Sequence, residues 1–131
     1  MKSNEKLTIA LTCNHPEWWR FNASLQAETL NEQGERIAAE SLTQTIANVG
    51  DNLREKPSNP APKSKLEMSL QAAQTLHLYL NIIPHSLPLD SAITFEKGLA
   101  VRLVVRRGTT TLLDEKIALN PWSGAIFETR L

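Results

Sequence analysis

Between Thr75 and Arg107 the apolar residues recur at every second position. Leu76, Leu78, Leu80 and Ile82 form one such set, and Leu99, Val101, Leu103 and Val105 form another. A period of two places each set on one face of an extended strand, and no helix can gather them on one side. A Pro-punctuated segment, turning at Pro84 to Pro88, joins the two runs. These strands carry the densest apolar surface in the chain, so the fold is expected to be built around a β-sheet.

The same rhythm runs elsewhere. Leu7, Ile9, Leu11 and Cys13 alternate with Lys6, Thr8, Ala10 and Thr12, predicting a strand over Lys6–Cys13. Asn14-His15-Pro16-Glu17 breaks it, because Asn and Pro form turns and Pro donates nothing to a ladder. In Trp19–Leu30, one face takes Trp19, Phe21, Ala23, Leu25 and Ala27. Arg20, Asn22, Ser24, Gln26 and Glu28 fall on the other, which is expected to be wet. Asn31-Glu32-Gln33-Gly34 reads as a hairpin loop with Gly at a position of positive φ.

The segment Glu35–Val49 carries two signals. Ala38, Leu42, Ile46 and Val49 fit a helical stripe, whereas Thr43, Thr45 and Ile46 favour extended chain. The short Gly34 loop after a good strand favours a hairpin partner, with one short helix near residues 36–48 as the alternative. Gly50–Ser64 holds Pro57, Pro60 and Pro62 among Asn, Ser, Lys and Asp, and is expected to be a mobile loop inside one domain. The parts on either side are too small for a robust sheet alone.

Further strands are predicted over Leu66–Ala72, Gln74–Ile83, Ser91–Glu96, Leu99–Arg107, Thr111–Leu119 and Ala125–Leu131. The turn Gly108-Thr109-Thr110 allows a definite register. Pairing Val105 with Leu113 and Val101 with Ile117 matches apolar faces. It sets Asp114 diagonal to Arg102 and Arg106, an exposed charge pair worth little, and it sets Glu115 against Leu103 without a reason in the pattern. The faces of Ile126 and Thr129 stay undecided.

Together these elements predict an all-β chain: a single antiparallel β-sandwich of about seven to eight strands spanning residues 1–131. The sandwich is preferred to a barrel because the alternation is one-sided. The pattern is loosely similar to immunoglobulin-like, transthyretin-like and C2-like sandwiches, with no motif specific to any of them. One cysteine, Cys13, rules out both an internal disulfide and the paired-cysteine core of immunoglobulin domains.

Composition narrows the function classes. Lys plus Arg is 14 and Asp plus Glu is 14, so the net charge is zero and a nucleic-acid partner is not expected. No apolar run approaches the ~20 residues that span a bilayer, so membrane insertion is not expected either. The N-terminus lacks an apolar h-region and a cleavage site, which makes a soluble, cytoplasmic protein the expectation. An exported protein that had lost its leader would read the same.

Motifs for chemistry are sparse. His15, His77 and His85 match no metal-ligand spacing, and His77 is expected on the face opposite Leu76 and Leu78, towards solvent or Tyr79. Cys13 and His15 lack an orienting third group for a nucleophilic pair, and Cys13 reads as a small buried hydrophobe. Asp51, Asp90 and Glu96 are too few for the six to eight oxygens Ca²⁺ takes. Asn22-Ala23-Ser24 matches a glycosylation sequon. No enzyme, cofactor or metal is predicted.

Tryptophan stands out. Trp18, Trp19 and Trp122 lie at strand–turn junctions beside Pro16 and Pro121. If Trp18 and Trp19 are extended, they point to opposite faces and one must leave the core. An exposed ring there could anchor a protein or stack on a sugar. The expected function is therefore a non-enzymatic protein-interaction or assembly module, acting through an exposed sheet edge or loop on a protein partner or a second copy. The alternative is a carbohydrate or small-ligand binder using Trp18, Trp19 and Trp122.

Overall fold

The computed structural model describes residues 5–58, 62–87 and 99–131. The predicted strand Ser91–Glu96, with Asp90 and Glu96, lies outside them. Eight strands are described: β1 (Lys6–Thr12), β2 (Phe21–Leu30), β3 (Arg36–Gln44), β4 (Lys65–Gln71), β5 (Thr75–Pro84), β6 (Ala100–Arg107), β7 (Thr110–Ala118) and β8 (Ala125–Arg130). They form two four-stranded sheets, in the orders β4-β1-β6-β7 and β3-β2-β5-β8, and every pairing is antiparallel. The chain is an all-β sandwich.

The alternation explains the layering. Leu7, Ile9 and Leu11 on β1, Val101, Leu103 and Val105 on β6, and Leu66, Met68 and Leu70 on β4 point inward from one sheet. Phe21, Ala23, Leu25 and Ala27 on β2 and Leu76, Leu78, Leu80 and Ile82 on β5 meet them from the other. Burying each large aliphatic or aromatic side chain of this set contributes about 1.5–3 kcal/mol, so the four central strands hold the fold. The run that opened the sequence analysis supplies two of them, one per sheet.

The β6–β7 hairpin takes the predicted register, with Val105 opposite Leu113, Val101 opposite Ile117 and Glu115 opposite Leu103. Its loop is two residues, Gly108 and Thr109, one shorter than expected. A bulge opposite Val105–Arg106 takes up the extra residue, so Leu112 and Leu113 are both half-buried. Arg102 grips Asp114 through Nε at 2.8 Å and Nη2 at 2.6 Å. That contact holds the Asp114 carboxyl below its ordinary value.

Residues 36–44 are strand β3, not a helix. Asn31 starts the hairpin: its Oδ1 accepts from the Gln33 and Glu35 amides, and Gly34 takes φ +80°. Ala38 and Leu42, the core of the helical stripe, lean on the interior from this edge strand. Pairing with β2 outweighs the local preference.

Three expectations at the start of β2 are corrected. The strand begins at Phe21 because Trp18–Arg20 form a single 3-10 turn. Its bonds run from the Arg20 amide to the Glu17 carbonyl, at 3.1 Å, and from the Phe21 amide to the Trp18 carbonyl, and a turn closed by the Trp18 amide on the His15 carbonyl leads into it. The turn removes the extended geometry that would have sent one tryptophan outward, so Trp18 and Trp19 are both buried. Arg20, expected on the wet face, is buried too.

Candidate functional site

The sequence-predicted tryptophans separate into two places. Trp18 stacks on Phe21 inside the core, 6.2 Å between ring centroids, and its Nε1 donates to the Lys63 carbonyl at 2.9 Å. Trp19 lies under the Arg20 guanidinium, 4.4 Å from its ring centroid. Arg20 is also held by Glu17 at 2.9 Å. A buried charge needs such partners. Neither ring offers a surface to a ligand. Trp122 alone stands out, 56% exposed.

Beneath Trp19 sits a polar chain that sequence reasoning missed. His85 and Ser86 are buried, at 1% and 0% exposure. The Trp19 carbonyl lies 2.7 Å from His85 Nε2, and a carbonyl only accepts, so Nε2 carries the proton. In the neutral ring Nδ1 then accepts from the Ser86 hydroxyl at 2.6 Å. The same Ser86 Oγ accepts from the Leu53 amide at 2.6 Å, and the His85 carbonyl accepts from Gly50 and Asn52. Burial pushes the His85 pKa down. The Ser86–His85 juxtaposition has the look of an activated hydroxyl, but the oxygen is sealed from solvent. Its role is to fasten segment 50–53 to the end of β5.

The remaining candidates serve local structure. The Cys13 thiol donates to the Ala100 carbonyl at 3.4 Å, and burial pushes its pKa up. His15 Nδ1 accepts from the Glu17 amide. Asp51 Oδ2 accepts from Asn48, and Asn22 binds Ile46 and Ala47 through its amide. His77 lies on the outer face as expected, with Nε2 2.7 Å from Glu128 and Nδ1 3.7 Å from Glu28. Arg36 bonds to Glu28 and holds that carboxyl below its ordinary value. An open groove of about 460 Å³ runs beside these groups, walled by Gln26, Glu28, Arg36, Ser41, His77 and Tyr79. Among the described residues no cluster of His, Cys, Asp and Glu has the arrangement of a metal site, and no helix is long and apolar enough to cross a membrane.

Of the exposed large apolar groups among the described residues, Ile126, Leu131, Ile83 and Trp122 lie in or beside β8 by sequence or pairing, whereas Ile37, Val49 and Leu87 lie elsewhere. Ile126 is 69% exposed on the outer face of this edge strand, diagonal to the exposed Ile83, and Trp122 lies in the turn just before it. Among the described residues β8 pairs with β5 alone. Leu76 and Leu131 exchange both backbone hydrogen bonds, at 3.0 and 2.8 Å. Antiparallel ladders alternate bonded and non-bonded pairs, so Thr129, Phe127 and Ala125 also bond to β5. Ile126, Glu128 and Arg130 must then aim their amides and carbonyls the other way, at the edge that no described strand covers. Gly124 faces that edge too, but its groups are taken by Asn120, at 2.8 and 3.0 Å. Sequence reasoning left the face of Ile126 open. The Leu76–Leu131 exchange that fixes it is visible only in three dimensions.

Comparisons with protein-family models, curated proteins and solved structures found no match.

Proposed function

We propose that this chain is a non-enzymatic protein-interaction module that docks an extended segment on the β8 edge. The observation that carries the reading is the row Ile126, Glu128 and Arg130, whose backbone groups are paired by no described residue and lie beside a large exposed side chain. Edges of this kind accept an added strand through main-chain bonds, with side chains setting specificity. The other edges are less inviting. β3 packs along β4 on the far side of the sandwich, and β7 carries Asp114, Glu115 and Lys116. An exposed Ile126 next to Trp122 also matches the apolar and aromatic anchors that dominate interfaces.

The test is Glu128→Pro. Proline removes the one amide that points outward there and leaves the β5 ladder its bonds. Proteins cross-linked to the wild type in native lysate should be lost from the variant, while its thermal melt stays close to wild type. Undiminished capture by a folded Glu128→Pro chain would refute docking at this edge.

A further inference from the structure

We infer that the segment received by the β8 edge is a foreign strand whose outer-face side chains run acidic, basic, apolar from its N-terminal to its C-terminal end, and not a second copy of this chain. The inference rests on the proposed docking reading and specifies the partner's chemistry.

Every pairing in both sheets is antiparallel, and antiparallel pairs are somewhat the more stable. An antiparallel newcomer therefore meets Arg130 first, then Glu128, then Ile126. It bonds at those three positions, where the backbone groups are open. Side chains directly opposite lie about 4.5–5.5 Å apart between Cβ atoms, so charge and polarity are read position by position. Arg130 selects an acid. Glu128, with its side chain 58% exposed, selects a base. His77 approaches the Glu128 carboxylate from the β5 side and leaves the open side for the newcomer. Ile126, 69% exposed, selects an apolar residue. The intervening residues turn to the inner face beside Ala125, Phe127 and Thr129.

A second copy does not meet these demands. A two-fold antiparallel pairing that uses all three open positions sets Glu128 against its own counterpart and Ile126 against Arg130. Sliding by two residues one way sets Ile126 against Glu128 and Arg130 against Gly124, whose backbone is already bonded to Asn120. Sliding the other way matches Glu128 with Arg130 and sets Ile126 beyond the partner's β8, which ends at Arg130. Each arrangement gives up either charge matching or the apolar anchor.

The experiment titrates ¹⁵N-labelled protein with two synthetic peptides at millimolar concentration. The first is Thr-Glu-Thr-Lys-Thr-Val-Thr; the second, Thr-Lys-Thr-Glu-Thr-Val-Thr, has the same composition with the charges exchanged. The first should shift the amide resonances of Ile126, Glu128 and Arg130. The second should bind about tenfold more weakly, because two attractive pairs become repulsive. In the double variant Glu128→Lys, Arg130→Glu the preference should reverse, which a purely structural effect on β8 would not produce. Sedimentation should give a monomer for the wild type. Equal binding of both peptides, abolished by Glu128→Pro, would overturn the charge pattern and leave edge docking standing. No shift with either peptide would overturn this partner assignment, and the lysate cross-linking then decides separately whether the edge docks anything. A dimer that Glu128→Pro dissociates would also overturn it, with a second copy as the occupant.

Discussion

Two turns in this protein look alike in sequence and do opposite things. One reads Pro16-Glu17-Trp18-Trp19, the other Pro121-Trp122-Ser123-Gly124, and each leads from one sheet to a strand of the other. In the first, a 3-10 turn folds both rings inward, and Lys63, Glu17 and the ring–guanidinium contact satisfy the polar groups carried along. In the second, the Asn120 side chain accepts from the Trp122 and Ser123 amides, and the ring stays outside. What separates them is whether neighbouring chain offers partners for the indole and for the charge beside it. Tryptophan at a turn is thus a closure where such partners exist and an exposed anchor where they do not.

Several substitutions would break or sharpen this contrast, beginning with the largest. Trp18→Ala should cost about 3–5 kcal/mol, since it empties a packed site and orphans the Lys63 carbonyl; urea unfolding measures it, and a cost below ~1 kcal/mol would remove Trp18 from the core. Gly124→Ala comes next. Gly124 takes φ +75°, and a methyl group there would overlap the Ile82 carbonyl of β5. Left-handed backbone and overpacking together suggest about 2–4 kcal/mol, seen in the same assay, with β8 amides losing exchange protection. Ser86→Ala should cost about 1–3 kcal/mol by leaving the buried Leu53 amide unbonded. Trp122→Ala should fall within about 0.5 kcal/mol of wild type, while removing the fluorescence component most accessible to iodide.

The first turn also carries a pH signature that the second lacks. Burial, chiefly, depresses the His85 pKa in the folded chain. The unfolded chain therefore takes up the proton first as pH falls. The contribution to stability is complete above the ordinary value of about 6.5 and is lost as pH drops below it towards the depressed folded value. Unfolding free energies from pH 8 to pH 5 should show this slope, and His85→Gln should flatten it. A slope unchanged in that variant would assign the acid sensitivity elsewhere.

How much of this was legible beforehand differs by region. The central strands were, because Leu76–Ile82 and Leu99–Val105 leave no other way to hide their side chains. The β6–β7 register followed from matching Val105 with Leu113. Glu115 opposite Leu103 came with it: it falls on the inner side of edge strand β7, between the half-buried Leu113 and Ile117, and is nonetheless exposed there. The 3-10 turn was not legible, because Trp19-Arg20-Phe21 continues the alternation of β2 and nothing local marks where the strand begins. Arg20 was misplaced for the same reason. His85 and Ser86 were passed over since polar residues near prolines resemble surface turn. Their burial depends on Trp19 and Leu53, which are far away in sequence. The β8 edge was expected only in kind. Ala125, Phe127 and Thr129 compete with Ile126 for the inner face, and only pairing with β5 decides it.

The Ser86 hydroxyl and the His85 ring together link three stretches of chain that are remote in sequence: His85 Nε2 reaches the turn at Trp19, both residues follow the end of β5, and Ser86 Oγ holds the segment through Leu53. The Leu53 amide and the His85 amide, which bonds to the Arg20 carbonyl, sit on either side of that link. Each exchanges with solvent deuterium through the most frequent opening that frees it. Faster exchange at Leu53 would mean that segment 50–53 lets go first, and equal rates would mean that this end of the sandwich opens in one event.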